Sequence, residues 1–541
     1  MLVTLIDQKQ RAQDFVLIMA MRLPFLILAL SVSLAQAELR LPAVISDHMV
    51  LQAGKPAAIW GWADAGDAIT VEFAGQTKTA AAGVDGRWSL RLEPLTASAQ
   101  PRALRVNDRV IRDVLVGEVW LASGQSNMAM QINGQLHGKV DNADAEVAAA
   151  KFPEIRVFAH DTPFAIYELP VPADEHAQDR PGRWRVCSPE TVADFSAMGY
   201  FVARDLHREL KQPIGIVTAA VGGTPIEAWT SREAQEVVPE LKPLLADWTK
   251  RLDGFVPAVE QAKFLDAKGA WLKERAKALK AGQPAPKAPA PFKNIQVMKP
   301  GGLFAGMIAP LAPYTMRGVL WYQGERNAAG PFTGLYGRQL ETMIADWRAR
   351  WQDELHFAWV QLPAFGGAQK LPSEPNGWGV AVREGQRRAL RVPRTSMAIT
   401  MDLGGEKSGH PANKADYARR LSTVLLHDVY QKDIALPTGP LFKAATVADG
   451  RMILSFDHAE GLMARDGKLE GFAIAGADGK FHWANARIEN REVIVWHGKV
   501  PDPQTVHYAF AANPKDNLVN AAGLPASPFA ASAPPAGQAG Q

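Results

Sequence analysis

Apolar runs that end in a polar, glycine-bearing turn recur along this chain, and they restrict its fold more than any other feature. Residues 119–122 (VWLA) run into Ser123, Gly124, Gln125, Ser126, Asn127 and Met128. Residues 214–217 (IGIV) lead to Gly222 and Gly223, followed by a helix start at 225–229. Residues 318–322 (GVLWY) deliver Gln323, Gly324, Glu325, Arg326 and Asn327, and residues 396–402 (SMAITMD) end in the carboxylate of Asp402. A continuous apolar run suits a strand buried on both faces, and strand, turn and helix in alternation imply a parallel sheet covered by helices. Such sheets bind ligands beyond the carboxyl ends of their strands. The turn residues are therefore the functional candidates. Ser126 follows a rigid strand on a sharp turn, which holds its hydroxyl clear of the sheet, and Gly124 permits backbone angles closed to larger residues.

The helical segments read from apolar spacing lie at 195–210, 336–350, 380–390 and 415–428, with Pro213 ending the first. Strands are expected at 58–62, 69–73 and 87–92 ahead of the sheet, and at 452–456, 469–475, 493–496 and 506–510 after it. These spacings place an N-terminal β domain at 38–115, an α/β domain at 116–435 and a C-terminal β domain at 436–529, both flanking domains sandwich-like. An inserted, charged helical segment occupies about 231–300, ending in the proline-rich run 284–291. Its charges read as a solvated face. The tail 530–541, rich in alanine, proline and glycine, reads as disordered.

With 59 basic and 56 acidic residues, the net charge of +3 gives no argument for nucleic acid or an anionic membrane as partner. Met21 and Arg22 precede the apolar run 23–34, and Ala35-Gln36-Ala37 follows with small-x-small spacing. That is the pattern of a signal peptide over residues 1–37 cleaved after Ala37, with the first 20 residues an awkward extension. The expected address is secreted or periplasmic, with no membrane anchor after cleavage. The single cysteine, Cys187, reads as a buried hydrophobe and excludes an intrachain disulfide. No Cys/His cluster has zinc spacing, and neither metal nor other cofactor is expected.

Acyl transfer needs a nucleophile, a base for its proton and donors for the developing oxyanion. Four strand ends supply candidates: Ser126, Gly222 with Gly223, the stretch from Gln323 to Asn327, and Asp402 with His410. Of 12 histidines, His410 stands apart, in a Gly/Ser-rich loop after the last strand and just ahead of a helix, where it reads as a base or ligand. His207 and His427 lie on expected helices and read as structural or exposed.

These blocks carry a resemblance. GQSNM at 124–128, GGTPIEAW at 222–229, WYQGERNA at 321–328 and HPANK at 410–414 resemble the sialate O-acetylesterase family within the SGNH hydrolases. The likeness extends to LPAVISDHMVLQ at 41–52, WRVCSPETVADFSAMGYF at 184–201 and GLPASPF at 523–529. It implies a flavodoxin-like SGNH hydrolase domain, with helices on both faces of a parallel sheet, that removes O-acetyl groups from saccharides through an acetyl-enzyme. The resemblance makes Ser126 the nucleophile and His410 the general base. It places the oxyanion against the Ser126 N–H, Gly223 and a side chain from Gln323 or Asn327.

Many SGNH enzymes carry an aspartate two or three residues before the histidine, where this chain has Ser408 and Lys407. The third triad member is accordingly Glu325 as first choice, Asp402 as second, or absent, leaving a Ser–His pair. The acetylated substrate is a sialate or a plant cell-wall glycan such as xylan or xyloglucan. A carbohydrate-binding protein on a decayed hydrolase scaffold is the alternative; it predicts loss of nucleophile or base, and both are present. Arg326 is expected in a structural ion pair, with contact to a sugar carboxylate as the other reading.

Overall fold

The computed structural model describes residues 39–134, 137–160, 181–289, 292, 294–406 and 408–532. The expected signal peptide lies outside them, as does most of the tail. The central sheet takes strands β1 (Arg109–Gly124), β2 (Phe152–His160), β3 (Gly182–Cys187), β4 (Ile214–Ala220), β5 (Gly318–Tyr322), β6 (His356–Val360) and β7 (Thr395–Ala398). Their spatial order is β7-β6-β5-β1-β4-β2-β3. All pairings are parallel except β2 with β3, so the sheet is mixed at one edge only.

β1 stands at the centre, and the chain lays β4 on one side of it and β5 on the other, Ala220 facing Gly124 and Tyr322 facing Gly124. Strand order reverses there, so the loops after β1, β4 and β5 diverge and leave a crevice at the carboxyl edge. β4 and β5 are buried along their whole length because both faces of the sheet are covered. Helices α1 (Ser126–Ala129), α2 (Ala197–Leu210), α3 (Lys242–Leu252), α4 (Pro257–Lys280), α5 (Tyr336–Trp351), α6 (Val380–Arg388) and α7 (Lys414–Asp428) follow the strands. α2 and α7 build one core layer with Tyr200, Phe201, Tyr417 and Leu421. α5 builds the other, where Trp229, Trp321 and Trp347 meet edge to face. Each such side chain, fully buried, contributes about 1.5–3 kcal/mol.

β1 does not stop at the boundary expected near residue 115. Its first half pairs antiparallel with Ser98–Val106 in the N-terminal sheet, and its second half enters the central sheet. One strand therefore sets the N-terminal domain against the strand that delivers Ser126. The C-terminal domain stacks two antiparallel sheets around Phe456, Phe472, Tyr508 and Phe529. Residues 530 to 532, expected to be disordered, belong to its last strand, Phe529–Ser532, which pairs with Thr505–Tyr508. Edge pairing there outweighs an alanine-rich composition that carries no strand pattern. The run expected as a strand to Asp402 ends at Ala398: the Thr400 hydroxyl bonds the Gln361 carbonyl at 2.6 Å, and a 3-10 turn Met401–Leu403 follows. In the inserted segment, α4 buries no residue. Cys187 is buried and free.

Candidate active site

The carboxyl edge of β1 fixes the first block. Gly124 has φ +139°, and a Cβ there would stand 2.1 Å from the Tyr322 carbonyl oxygen, so only glycine fits. The Gln125 N–H donates to that same carbonyl at 3.0 Å, and α1 begins at once, Met130 N–H closing on the Ser126 carbonyl at 2.8 Å. Ser126 is only 5% exposed. The N–H groups of Ser126 and Gly223 donate to no protein acceptor among the described residues. Gly223 has φ +71° on the loop after β4, and a Cβ on its neighbour Gly222 would approach the Ser126 Cβ at 3.4 Å and the His137 ring at 2.7 Å.

Ser126 and His410 meet: His410 Nε2 lies 2.8 Å from Ser126 Oγ. The backbone of His410 is held by Ser408, whose hydroxyl accepts from the His410 N–H and donates to its carbonyl, both at 3.0 Å. The imidazole stacks on His137, centroids 5.1 Å apart. Burial, then His137, then Lys414 hold His410 down to about 4. It is therefore neutral at pH 7, the form able to accept a proton.

Asn127 ties three blocks together. Its Nδ2 donates to the Glu325 carboxylate and, at 2.9 Å, to the Gly409 carbonyl that precedes His410. Gln125 does the same between the first and third blocks, accepting from Gln323 Nε2 and from the Arg326 N–H, each at 3.1 Å. Glu325 thus reaches the histidine loop through Asn127, and no bond joins it to His410. Burial raises its pKa, opposed by the Asn127 bond and by Lys414. Lys414 is wholly buried, donates to the Pro411 carbonyl and is lowered to about 7 by that burial.

The other expected site residues have different partners. Asp402 pairs with Arg420 at 2.6 Å and Arg465 at 3.1 Å, so its charge is engaged away from His410. Among the described residues no carboxylate bonds His410. Gln323 Nε2 faces three acceptors, Asn327 Oδ1, the Thr224 carbonyl and Gln125 Oε1, which leaves neither amide proton for an oxyanion. Asn327 accepts from the Ile226 N–H at 3.0 Å and donates to Glu227 at 2.9 Å, bracing the Gly223 loop from behind. The ion pair expected for Arg326 is absent among the described residues.

His137, Lys414 and the bridging role of Asn127 escaped sequence reasoning. Asn127 lay inside the first block and Lys414 inside the last, but nothing local marks His137. Only the fold carries it to the other side of His410.

This site sits in a chain with clear relatives. Residues 116–253 and 297–430 match the model of the carbohydrate esterase family described as sialic acid-specific acetylesterase. The chain belongs to that family of carboxylic ester hydrolases. It is 26% identical to the sialate O-acetylesterase of Rattus norvegicus over 497 residues, covering 83% of this chain and 84% of the rat protein. The Homo sapiens sialate O-acetylesterase is 26% identical over 420 residues, or 71% of this chain and 69% of the human one. Among solved structures, XAC1771, a carbohydrate acetylesterase from Xanthomonas citri, superposes with TM-score 0.72 at 33% identity. That match covers 91% of this chain and 99% of XAC1771. The family match spans the four strand ends that supply Ser126, Gly223, Glu325 and His410, and it omits 254–296, where α4 stands clear of the core.

Proposed function

We propose that this family member is a serine O-acetylesterase of the SGNH type, acting on acetylated saccharides through an acetyl-enzyme. The observation that carries the reading is the 2.8 Å contact between Ser126 Oγ and a neutral His410 Nε2 at the switch point of the sheet. Ser126 Oγ attacks the acetyl carbonyl while His410 Nε2 takes its proton. The tetrahedral oxyanion lies against the free N–H groups of Ser126 and Gly223. Collapse breaks the ester bond, and His410 returns the proton to the departing sugar oxygen. Water then attacks the acetyl-enzyme with His410 again as base, and acetate leaves.

Glu325 is a positioning residue in this scheme. It acts through Asn127 on the Gly409 carbonyl and so on the placement of His410. Burial, with His137 and Lys414 beside it, keeps the imidazole neutral. Sialates acetylated at O9 and plant cell-wall glycans such as xylan and xyloglucan are the substrate candidates, reached after export through the N-terminal signal. Acetate release from 4-nitrophenyl acetate, 9-O-acetyl sialic acid, acetylated xylan and acetylated xyloglucan, with Ser126→Ala alongside, tests the reading. Release by wild type and its loss in the variant is expected. A folded wild type inert on every ester contradicts it.

A further inference from the structure

A cavity lies on the α3 side of the candidate site. It measures about 320 Å³, near the lower bound of ligand pockets, and takes its walls from three separate parts of the chain. Pro225, from the Gly223 loop, forms one side. Glu325 and Arg326 of the third block form another. Asp247, Trp248 and Arg251 of α3 close the third, with Pro331 and Phe332 at the rim. Two links place it beside the chemistry. Pro225 is two residues beyond Gly223, and the Glu325 carboxylate is bonded to Asn127, the neighbour of Ser126.

Hydrogen bonds tie down the floor of this cleft. Trp248, 2% exposed, donates its indole N–H to Glu227 at 3.0 Å. Glu227 also accepts from Asn327 at 2.9 Å and Gln339 at 3.0 Å, so its charge is spent inward. The groups that face solvent are different in kind. Arg326 is exposed and its guanidinium has no partner among the described residues. Arg251 lies over the Trp248 ring at 3.8 Å, and its guanidinium is 4.0 Å from Asp247, a loose contact across exposed side chains. The cleft therefore offers two guanidinium forks, one carboxylate acceptor and an apolar rim of Pro331 and Phe332, over a rigid base.

A pyranose ring has that amphipathic character: hydroxyls that donate and accept around its edge, and C–H groups on its faces. We infer that this cleft, built partly by α3 of the inserted segment, is the subsite for the sugar ring of the leaving alcohol, with Arg326, Arg251 and Asp247 as its specificity-determining residues. The inference rests on the serine esterase reading, and it locates substrate choice on the α3 side of the site rather than in either β domain. Asp247 accepts a hydrogen bond from a ring hydroxyl, Arg251 donates to the adjacent oxygen, and Arg326 holds the far edge of the ring. A carboxylate on that ring, as in a sialate, would meet Arg326; a neutral glycan would meet it through hydroxyls.

The test is a ratio. For wild type, Arg326→Ala, Arg251→Ala and Asp247→Ala, kcat/KM is measured on 4-nitrophenyl acetate, which has no sugar, and on two saccharide esters, 9-O-acetyl sialic acid and an acetylated xyloglucan oligosaccharide. The ratio of saccharide to aryl ester activity is expected to fall at least tenfold in Arg326→Ala, mainly through KM, with smaller falls in the other two. A larger loss on the sialate than on the oligosaccharide identifies a carboxylate contact; equal losses identify hydroxyl contacts. An unchanged ratio overturns the subsite while leaving the serine mechanism intact. A parallel loss on aryl and saccharide esters also overturns it, because the residues then serve the chemistry or the fold. A wild type inert on all three esters overturns the esterase reading and the subsite together.

Discussion

Glu325 bonds Asn127, and through that one amide it reaches the loop of His410. The arrangement differs from a carboxylate bound directly to the imidazole, and the difference is measurable. Glu325→Gln keeps the shape and removes the charge. It is expected to lower kcat by about 10- to 100-fold, well short of the roughly thousandfold or greater loss expected for His410→Ala. Glu325→Gln and Asn127→Ala should be non-additive in a double-mutant cycle, since the first weakens and the second removes the same link. Full additivity, or a loss in Glu325→Gln equal to that of His410→Ala, would show that Glu325 acts on the histidine directly.

The pH profile follows from the burial of His410. A general base works only when unprotonated, so a pKa lowered from 6.5 to about 4 extends activity towards acid. kcat/KM on an aryl acetate should hold between pH 7 and 5, with its acid limb nearer 4. His137→Ala opens the ring to water and removes one of the groups that lower its pKa, and both changes raise the limb. An acid limb at 6.5 in wild type contradicts the buried environment described above.

Asp402 is placed to hold domains together. Arg420 comes from α7 and Arg465 from the C-terminal domain, and the carboxylate binds both. Asp402→Asn is expected to cost about 1–2 kcal/mol of stability, less than a fully buried pair because Arg465 is well exposed. Thermal unfolding should register that loss. Aryl acetate turnover at 25 °C should change by less than about threefold, a far smaller effect than removing Ser126 or His410. A drop of about a hundredfold or more would return Asp402 to the catalytic chemistry.

Gly124 is the steric key of the Ser126 turn. In Gly124→Ala the new methyl meets the Tyr322 carbonyl at 2.1 Å on a backbone with φ +139°. The variant should lose about 3 kcal/mol or more and its activity together. Denaturant unfolding and aryl acetate turnover would check both.

Much of this was legible in the chain because local rules and the fold agree there. The strand expected at 318–322 is the strand found, Gly318–Tyr322, since continuous apolar sequence and burial on both faces say the same thing. The four blocks lie at the carboxyl ends of strands or in the loop ahead of α7, and the pairing of Ser126 with His410 was expected from the family resemblance those blocks carry. The partner of His410 was not legible. Asp402 looked like a strand-end acid, but the turn made by Thr400 redirects it to two arginines that are distant in sequence. Gln323 looked like a donor, but its amide is consumed by Thr224, Gln125 and Asn327, contacts that exist only once three loops converge. His137 carries no pattern at all; its stacking on His410 is wholly tertiary.

The central claim is that Ser126 is the nucleophile. The most direct measurement is to react the intact enzyme with a fluorophosphonate that forms a covalent adduct with activated serines, then locate the adduct by peptide mass spectrometry. One adduct is expected, on Ser126, with esterase activity lost in proportion to labelling, and no adduct in Ser126→Ala or His410→Ala. Labelling at another serine, or an active enzyme that takes no label, would contradict it.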